Sequence, residues 1–196
     1  TNRKVPFLLE VIMENFIGIY DNVVSESDCK WIIEWFENSR HLHSSGTFAE
    51  GKTDLSVKHS TDIHLRFESS SPPSKIIFSS LKECAIKYIN HYRMSSLVQT
   101  FGSEDIYNIQ RYAPNEGYFA EHCEHDGAKS SRILAWTLYL NDVGDGGETL
   151  YTLYDYKVKA ISGRMVIFPA YWTHAHRGII SKTETKYIAT GWFSLT

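Results

Sequence analysis

The sequence predicts a mainly β domain of the sandwich or jelly-roll kind, with helices gathered at its N-terminal end. Three observations predict it. From Glu104 onward the chain is a succession of short β-rich runs separated by turn signals. Two amphipathic helical stretches fall before that point, and no repeat or low-complexity segment divides the chain. A length of 196 residues suits one domain with a sizeable core, and a hydrophobic content of 42% with 14% aromatics excludes a disordered chain. We therefore expect a single domain over 1–196: a helix-rich support with a substrate-facing loop over about 1–100, and a β core over about 104–196.

Taken in order, Phe16 to Tyr20 reads as a short strand. Ser25 to Glu37 reads as a helix that Ser25 caps, with Cys29, Ile32, Ile33 and Phe36 forming its apolar stripe. A polar stretch from Ser39 to about Lys58, broken by Gly46 and Gly51, is long for a connection within one domain; such loops serve as lids or binding loops or are plain solvated excursions. Pro72 and Pro73 introduce a second helix, Ser74 to Arg93, whose Ile77, Leu81, Cys84 and Tyr88 recur at core spacing. Strands are expected over Ile106–Tyr112, Gly117–Glu124, Ile133–Leu140, Thr149–Leu153, Val158–Ile161, Met165–Phe168 and Thr185–Ser194. The turns between them include Pro114 to Gly117, Asp145 to Gly147, and Ser162-Gly163.

Charge and cysteine usage narrow the function classes. The net charge is −3 and the lysines and arginines are scattered among acids, which argues against a nucleic-acid or membrane-surface partner. Cys29, Cys84 and Cys123 make a poor disulfide framework and suit a reducing compartment. No apolar run approaches the ~20 residues of a membrane span, and the N-terminus lacks the apolar core of a signal peptide. The expectation is a cytoplasmic protein.

The densest chemistry is the run Glu121-His122-Cys123-Glu124-His125-Asp126-Gly127. Residues two apart on a strand face the same way, so His122 and Glu124 would present an imidazole and a carboxylate together, with Cys123 on the opposite face. Asp126 shares their face but lies four residues from His122, about 13 Å along an extended chain, so it needs a bulge to reach the same ion. The segment Trp172 to Gly178 offers His174 and His176 as a third ligand. Two histidines and one carboxylate form a facial triad that holds Fe(II) with open positions; a structural zinc would want four protein ligands. By itself H-x-E is weak, since a surface strand with alternating polar groups reads the same.

Its surroundings make it specific. Arg111-Tyr112-Ala113-Pro114 and Gly117-Tyr118 precede His122-Cys123-Glu124, and Arg132 to Val143 follows with Tyr139-Leu140-Asn141-Asp142-Val143 at its end. Gly146-Gly147-Glu148-Thr149, then His176, Lys186 and Gly191-Trp192 complete the order. Over roughly its last ninety residues the chain resembles the prolyl 4-hydroxylase branch of the Fe(II)/2-oxoglutarate-dependent oxygenases. That resemblance implies a double-stranded β-helix core (jelly-roll, cupin-like), with His122, Glu124 and His176 as metal ligands. It also implies that Lys186 pairs with the distal carboxylate of 2-oxoglutarate, supported by Tyr139, and that Tyr112 lies close to metal and co-substrate. His176 is preferred to His174 because it precedes Arg177-Gly178 and stands ten residues before Lys186, as in the family. One departure is Glu124, where the family usually has aspartate.

The resemblance further implies Fe(II), 2-oxoglutarate and O₂ as cofactor and co-substrates, and allows ascorbate as an auxiliary reductant. The expected reaction couples oxidative decarboxylation of 2-oxoglutarate to hydroxylation of a C–H bond, most directly in a prolyl residue of a peptide or protein. A free amino acid or other small molecule is the competing substrate class. A jelly-roll metal protein without turnover is the competing function class.

Overall fold

The computed structural model describes residues 14–48, 51–68, 71–94, 98, 100–125, 127 and 131–196. Two α-helices, two larger sheets and a two-stranded ribbon build the described residues. The large sheet has the order β1-β10-β7-β12-β5-β4-β2, all pairs antiparallel. Its strands are β1 (Gly18–Tyr20), β2 (Ser44–Ser45), β4 (Thr61–Arg66), β5 (Phe101–Tyr112), β7 (Arg132–Tyr139), β10 (Arg164–Pro169) and β12 (Lys186–Leu195). A three-stranded sheet pairs β8 (Thr149–Tyr151) with both β9 (Tyr156–Val158) and β11 (His176–Gly178). A two-stranded ribbon joins β3 (Lys58–His59) to β6 (Gly117–Tyr118).

The helices cover one face of the large sheet. Helix α1 (Glu26–Asn38) starts where Ser25 accepts the Asp28 N–H, with Glu26 and Asp28 in the first turn where the helix dipole favours acids. Helix α2 (Pro72–His91) has prolines at its first two positions, where a missing N–H costs nothing. Their stripes, Cys29, Ile32 and Phe36 with Ile77, Leu81, Cys84 and Tyr88, are buried against Leu134, Trp136, Leu138, Met165, Ile167 and Ala189. Gly191 permits this close packing, since a Cβ there would come within 2.7 Å of the Trp136 ring.

Alternate residues on the same strands point the other way, toward the small sheet. Ala135, Tyr139, Val166 and Phe168 form a second core with Tyr151 and Val158. The fold is thus a jelly roll buttressed by helices, and between its sheets opens a cavity of about 410 Å³.

Several element boundaries depart from the pattern in the sequence. The first hundred residues are more than a helical support: they contribute β1, β2 and β4 to the large sheet. Strand β4 is the largest surprise, six residues that the polar texture of Thr61-Asp62-Ile63-His64-Leu65-Arg66 disguised: Ile63 and Leu65 face the core, while Asp62, His64 and Arg66 lie on the other face, where His64 lines the cavity. The strand expected over Gly117–Glu124 stops at Tyr118, because the N–H groups of Phe119 and Ala120 turn to the Val57 carbonyl. The one expected over Val158–Ile161 lies earlier, ending at Val158. The three cysteines are unpaired. Among the described residues no helix is long and apolar enough to cross a membrane.

Candidate metal centre

His122, Glu124 and His176 come together although no continuous strand carries the first two. His122 and His176 exchange both backbone hydrogen bonds, N–H to carbonyl at 3.0 and 2.8 Å, in an isolated bridge. Glu124 sits in a bend beyond it, its N–H bound to the Ala170 carbonyl at 3.0 Å. The ligand atoms of the three side chains lie within 4.8 Å of one another. The two-residue spacing works through this bridge rather than through the pleat of a strand.

The donor set fits a divalent cation. Nδ1 of His122 lies 3.0 Å from the Ala120 carbonyl, and Nδ1 of His176 lies 2.9 Å from the His174 carbonyl. A carbonyl only accepts, so each Nδ1 carries the proton and each Nε2 offers a lone pair. Those Nε2 atoms stand 3.5 and 3.6 Å from Oε1 of Glu124. Burial pushes the His176 pKa down to about 4, helped by the His122 charge, which keeps the ring neutral for ligation. Burial alone would raise Glu124, but the neighbouring His122 and His176 rings and the Trp192 N–H outweigh it and bring the carboxyl to about 2, so that it stays ionised. The Tyr118 ring lies parallel to the His122 imidazole, with centroids 3.7 Å apart, and fixes its plane.

The cavity runs from this cluster along the inner faces of β12 and β5. Register places Lys186 opposite Tyr112, then Ile188 between Tyr139 and Gln110, then Thr190 between Thr137 and Asn108. Lys186 is only 7% exposed; its Nζ donates to the Gly147 carbonyl at 3.2 Å and lies 4.9 Å from the Tyr112 ring centroid. Burial lowers its pKa to about 8 against the opposing charge of Glu148. A buried ammonium at the end of a cavity is a ready anchor for an anion. Tyr139 hydrogen-bonds Thr149 Oγ1 at 2.7 Å, and burial raises its pKa to about 12, so its hydroxyl stays protonated. Tyr112 donates to Gln110 Oε1 at 2.9 Å.

The rival residues fall elsewhere. The buried His174 ring binds the Asn15 carbonyl through Nε2 at 2.7 Å, and so ties down the N-terminal segment. His125 binds the Arg132 carbonyl through Nδ1 at 2.8 Å. Cys123 lines the cavity, but its thiol donates to the His125 carbonyl and it is not one of the clustered ligands. Asp126 lies outside the described residues.

The sequence pattern did not single out several wall residues. Lys58 and Asp62 form a buried ion pair at 2.8 Å, with Ser60 and Gln110 satisfying the carboxylate further. His64 Nδ1 meets Asn108 Oδ1 at 2.6 Å, two residues along β4 and β5 from the Asp62–Gln110 pair. Trp192 donates its indole N–H to Glu124 Oε2 at 2.7 Å. Trp192 was findable, because it shares the strand parity of Lys186; Asp62 and His64 were not, because β4 itself was not visible.

Residues 107–194 match the sequence model of the 2OG-Fe(II) oxygenase superfamily. No curated protein matches the chain. Among solved structures, a prolyl hydroxylase from Trichoplax adhaerens, in complex with a hypoxia inducible factor peptide fragment, superposes with TM-score 0.72 at 19% identity, covering 92% of this chain and 84% of the other. A Pseudomonas putida prolyl-4-hydroxylase gives 0.70 at 14% identity over 93% and 94% of the two chains. A viral collagen prolyl hydroxylase from Paramecium Bursaria Chlorella virus-1, in its 2OG complex, gives 0.64 at 16% identity over 92% and 96%. At such identities the likeness is one of fold. Residues 107–194 thus carry both the sequence match and the His/Glu/His triad of a 2OG-Fe(II) oxygenase, a 2-oxoglutarate-dependent dioxygenase, on a prolyl-hydroxylase-like double-stranded β-helix.

Proposed function

We propose that His122, Glu124 and His176 hold Fe(II), that Lys186 with Tyr139 anchors 2-oxoglutarate, and that the substrate is a prolyl residue of a peptide or protein. The observation that carries this reading is the shared cavity: three convergent ligand atoms and, farther along the same wall, a buried lysine. When bound, Fe(II) and 2-oxoglutarate supply O₂-dependent hydroxylation, yielding succinate and CO₂. The protein contributes position and exclusion of water. His122 and His176 bind through Nε2 because backbone carbonyls hold their Nδ1 protons. Lys186 meets the anionic end of the co-substrate, and the Tyr139 hydroxyl, set by Thr149, stands opposite Ile188 on the neighbouring strand. Tyr112 closes the same end of the cavity beside Lys186.

The prolyl reading draws on the three fold relatives, whose own names describe prolyl hydroxylases. The cavity size also suits it, since about 410 Å³ accommodates a small dianion together with one side chain. The test is succinate release with proline-containing peptides and with free amino acids. Stimulation by a prolyl peptide, with a mass gain of one oxygen on proline, is the expected result. Stimulation by free amino acids alone would reassign the substrate class. Anaerobic Fe(II) with 2-oxoglutarate should produce a weak visible band that needs both; its absence would favour a metal protein without turnover.

A further inference from the structure

The two oxygens of Glu124 have different surroundings. Oε1 faces the Nε2 atoms of both histidines. Oε2 accepts the Trp192 indole N–H at 2.7 Å and lies 3.9 Å from Nη1 of Arg132. The Arg132 guanidinium covers the Trp192 ring, 3.5 Å from its centroid. Glu104 grips Arg132 at Nε and Nη2, 2.9 and 3.1 Å, and also accepts the Ser194 hydroxyl at 2.6 Å. The carboxylate, the indole, the guanidinium and a second carboxylate thus form one continuous chain of contacts on the cavity wall.

We propose that Trp192 is a positioning residue of the metal centre: its indole N–H reserves Oε2, so that Glu124 presents a single oxygen to the ion. Glu104 and Arg132 hold the plane of that indole. This rests on the triad reading above. The need for such a device follows from the residue type. Glutamate has one more rotatable bond than aspartate, so fixing its carboxylate costs more conformational entropy and demands a second contact. A carboxylate with both oxygens free can also bind a metal through both, which would occupy a position that the co-substrate requires. An indole nitrogen donates and never accepts, so it specifies which oxygen stays off the ion. The hydrogen bond is to a charged group, the strong kind, at a half-buried site.

The test measures metal binding by the apoprotein rather than turnover. Co(II) affinity is determined by calorimetry for wild type, Trp192→Phe, Glu124→Asp and the double variant, with circular dichroism and melting temperature alongside. Phenylalanine keeps the ring under Arg132 and removes only the N–H. Trp192→Phe should weaken Co(II) binding by about tenfold or more, the effect typical of losing a partner that orients a ligand. In the Glu124→Asp background, where the shorter arm already breaks the link, the same change should alter affinity less than about twofold. Wild-type affinity in Trp192→Phe, or an equal loss in both backgrounds, would overturn the proposal and leave Trp192 as cavity wall. A second readout avoids reliance on that variant folding. With ¹⁵N-labelled indoles, one of the five tryptophan N–H signals should move upfield in Glu124→Asp; five unmoved signals overturn the proposal. Failure of the triad reading looks different, because there His176→Ala and Glu124→Ala would bind Co(II) as wild type does.

Discussion

The large sheet has two faces that share every strand and almost nothing else. Toward the helices, β7 sends Leu134, Trp136 and Leu138 into an apolar layer with Met165, Ile167 and Ala189. Toward the cavity, the same strand sends Ala135, Thr137 and Tyr139, in register with Trp192, Thr190 and Ile188 of β12. The two tryptophans make the contrast plain. Trp136 is fully buried and its N–H finds no hydrogen-bond partner among the described residues, a cost of about 1–3 kcal/mol that the surrounding apolar contact tolerates. Trp192 is half-buried and its N–H is committed to a metal-ligand candidate. One face is built for stability and accepts an orphaned donor; the other is built for chemistry and carries a buried charge at Lys186.

The sharpest way to break this division is to remove one of the proposed ligands. His176→Ala should lower divalent-metal affinity by more than the about 10–100-fold that loss of an outer partner costs. Its apoprotein should melt close to wild type. A melting temperature that collapsed together with affinity would mean that the cavity face also carries the fold.

Next come neighbours on one strand. Leu138→Ala should destabilise the protein by about 2–5 kcal/mol in denaturant unfolding and leave the metal affinity of the folded protein intact. Thr137→Val, one residue away and facing the cavity, should stay within about 1 kcal/mol. Equal costs would erase the distinction between faces.

Lys186→Met tests whether function is held at the expense of stability. Its pKa is lowered from the ordinary 10.5 to about 8, so below pH 8 the folded state buries a charge that the unfolded state solvates. That penalty fades as pH rises from 8 toward 10.5. The variant should therefore gain up to about 3 kcal/mol at neutral pH while losing 2-oxoglutarate binding, read by calorimetry and thermal unfolding. Unchanged co-substrate affinity would remove Lys186 from its proposed role.

The smallest effect is a proton. Above pH 8 Lys186 is mostly neutral in the empty cavity, so binding a dianion there should draw a proton onto it. Calorimetry at pH 8.5 in two buffers of different ionisation enthalpy should show uptake, and apparent affinity should fall as pH rises further. Equal enthalpies in both buffers would indicate that the ammonium is already fully charged.

Much of this was legible in the residues. The period-3.6 stripes of α1 and α2, the Ser25 cap and the β runs after Glu104 are local patterns, and local patterns survive in a single sequence. His122, Glu124, His176 and Lys186 were legible as an ordered motif. What escaped were features that depend on a distant partner. Strand β4 reads as polar loop until β5 pairs with it, because its polar residues find distant partners: Asp62 meets Gln110, His64 meets Asn108 and Arg66 meets Asp105. The expected strand through Glu124 dissolved because its backbone groups found partners at Val57 and Ala170 instead of a ladder.

By itself, then, the sequence determined the alternation that sorts each strand into a core-facing and a cavity-facing set, and the identity of the groups available for chemistry. Only the tertiary structure decided which of those groups meet. Side-chain parity is set by the pleat of each strand, a property of adjacent residues. The bridge that brings His122 to His176 and the reach of Trp192 to Glu124 are each set by contacts across more than fifty residues of chain. Those distances close only when the whole core forms, and no local rule encodes them.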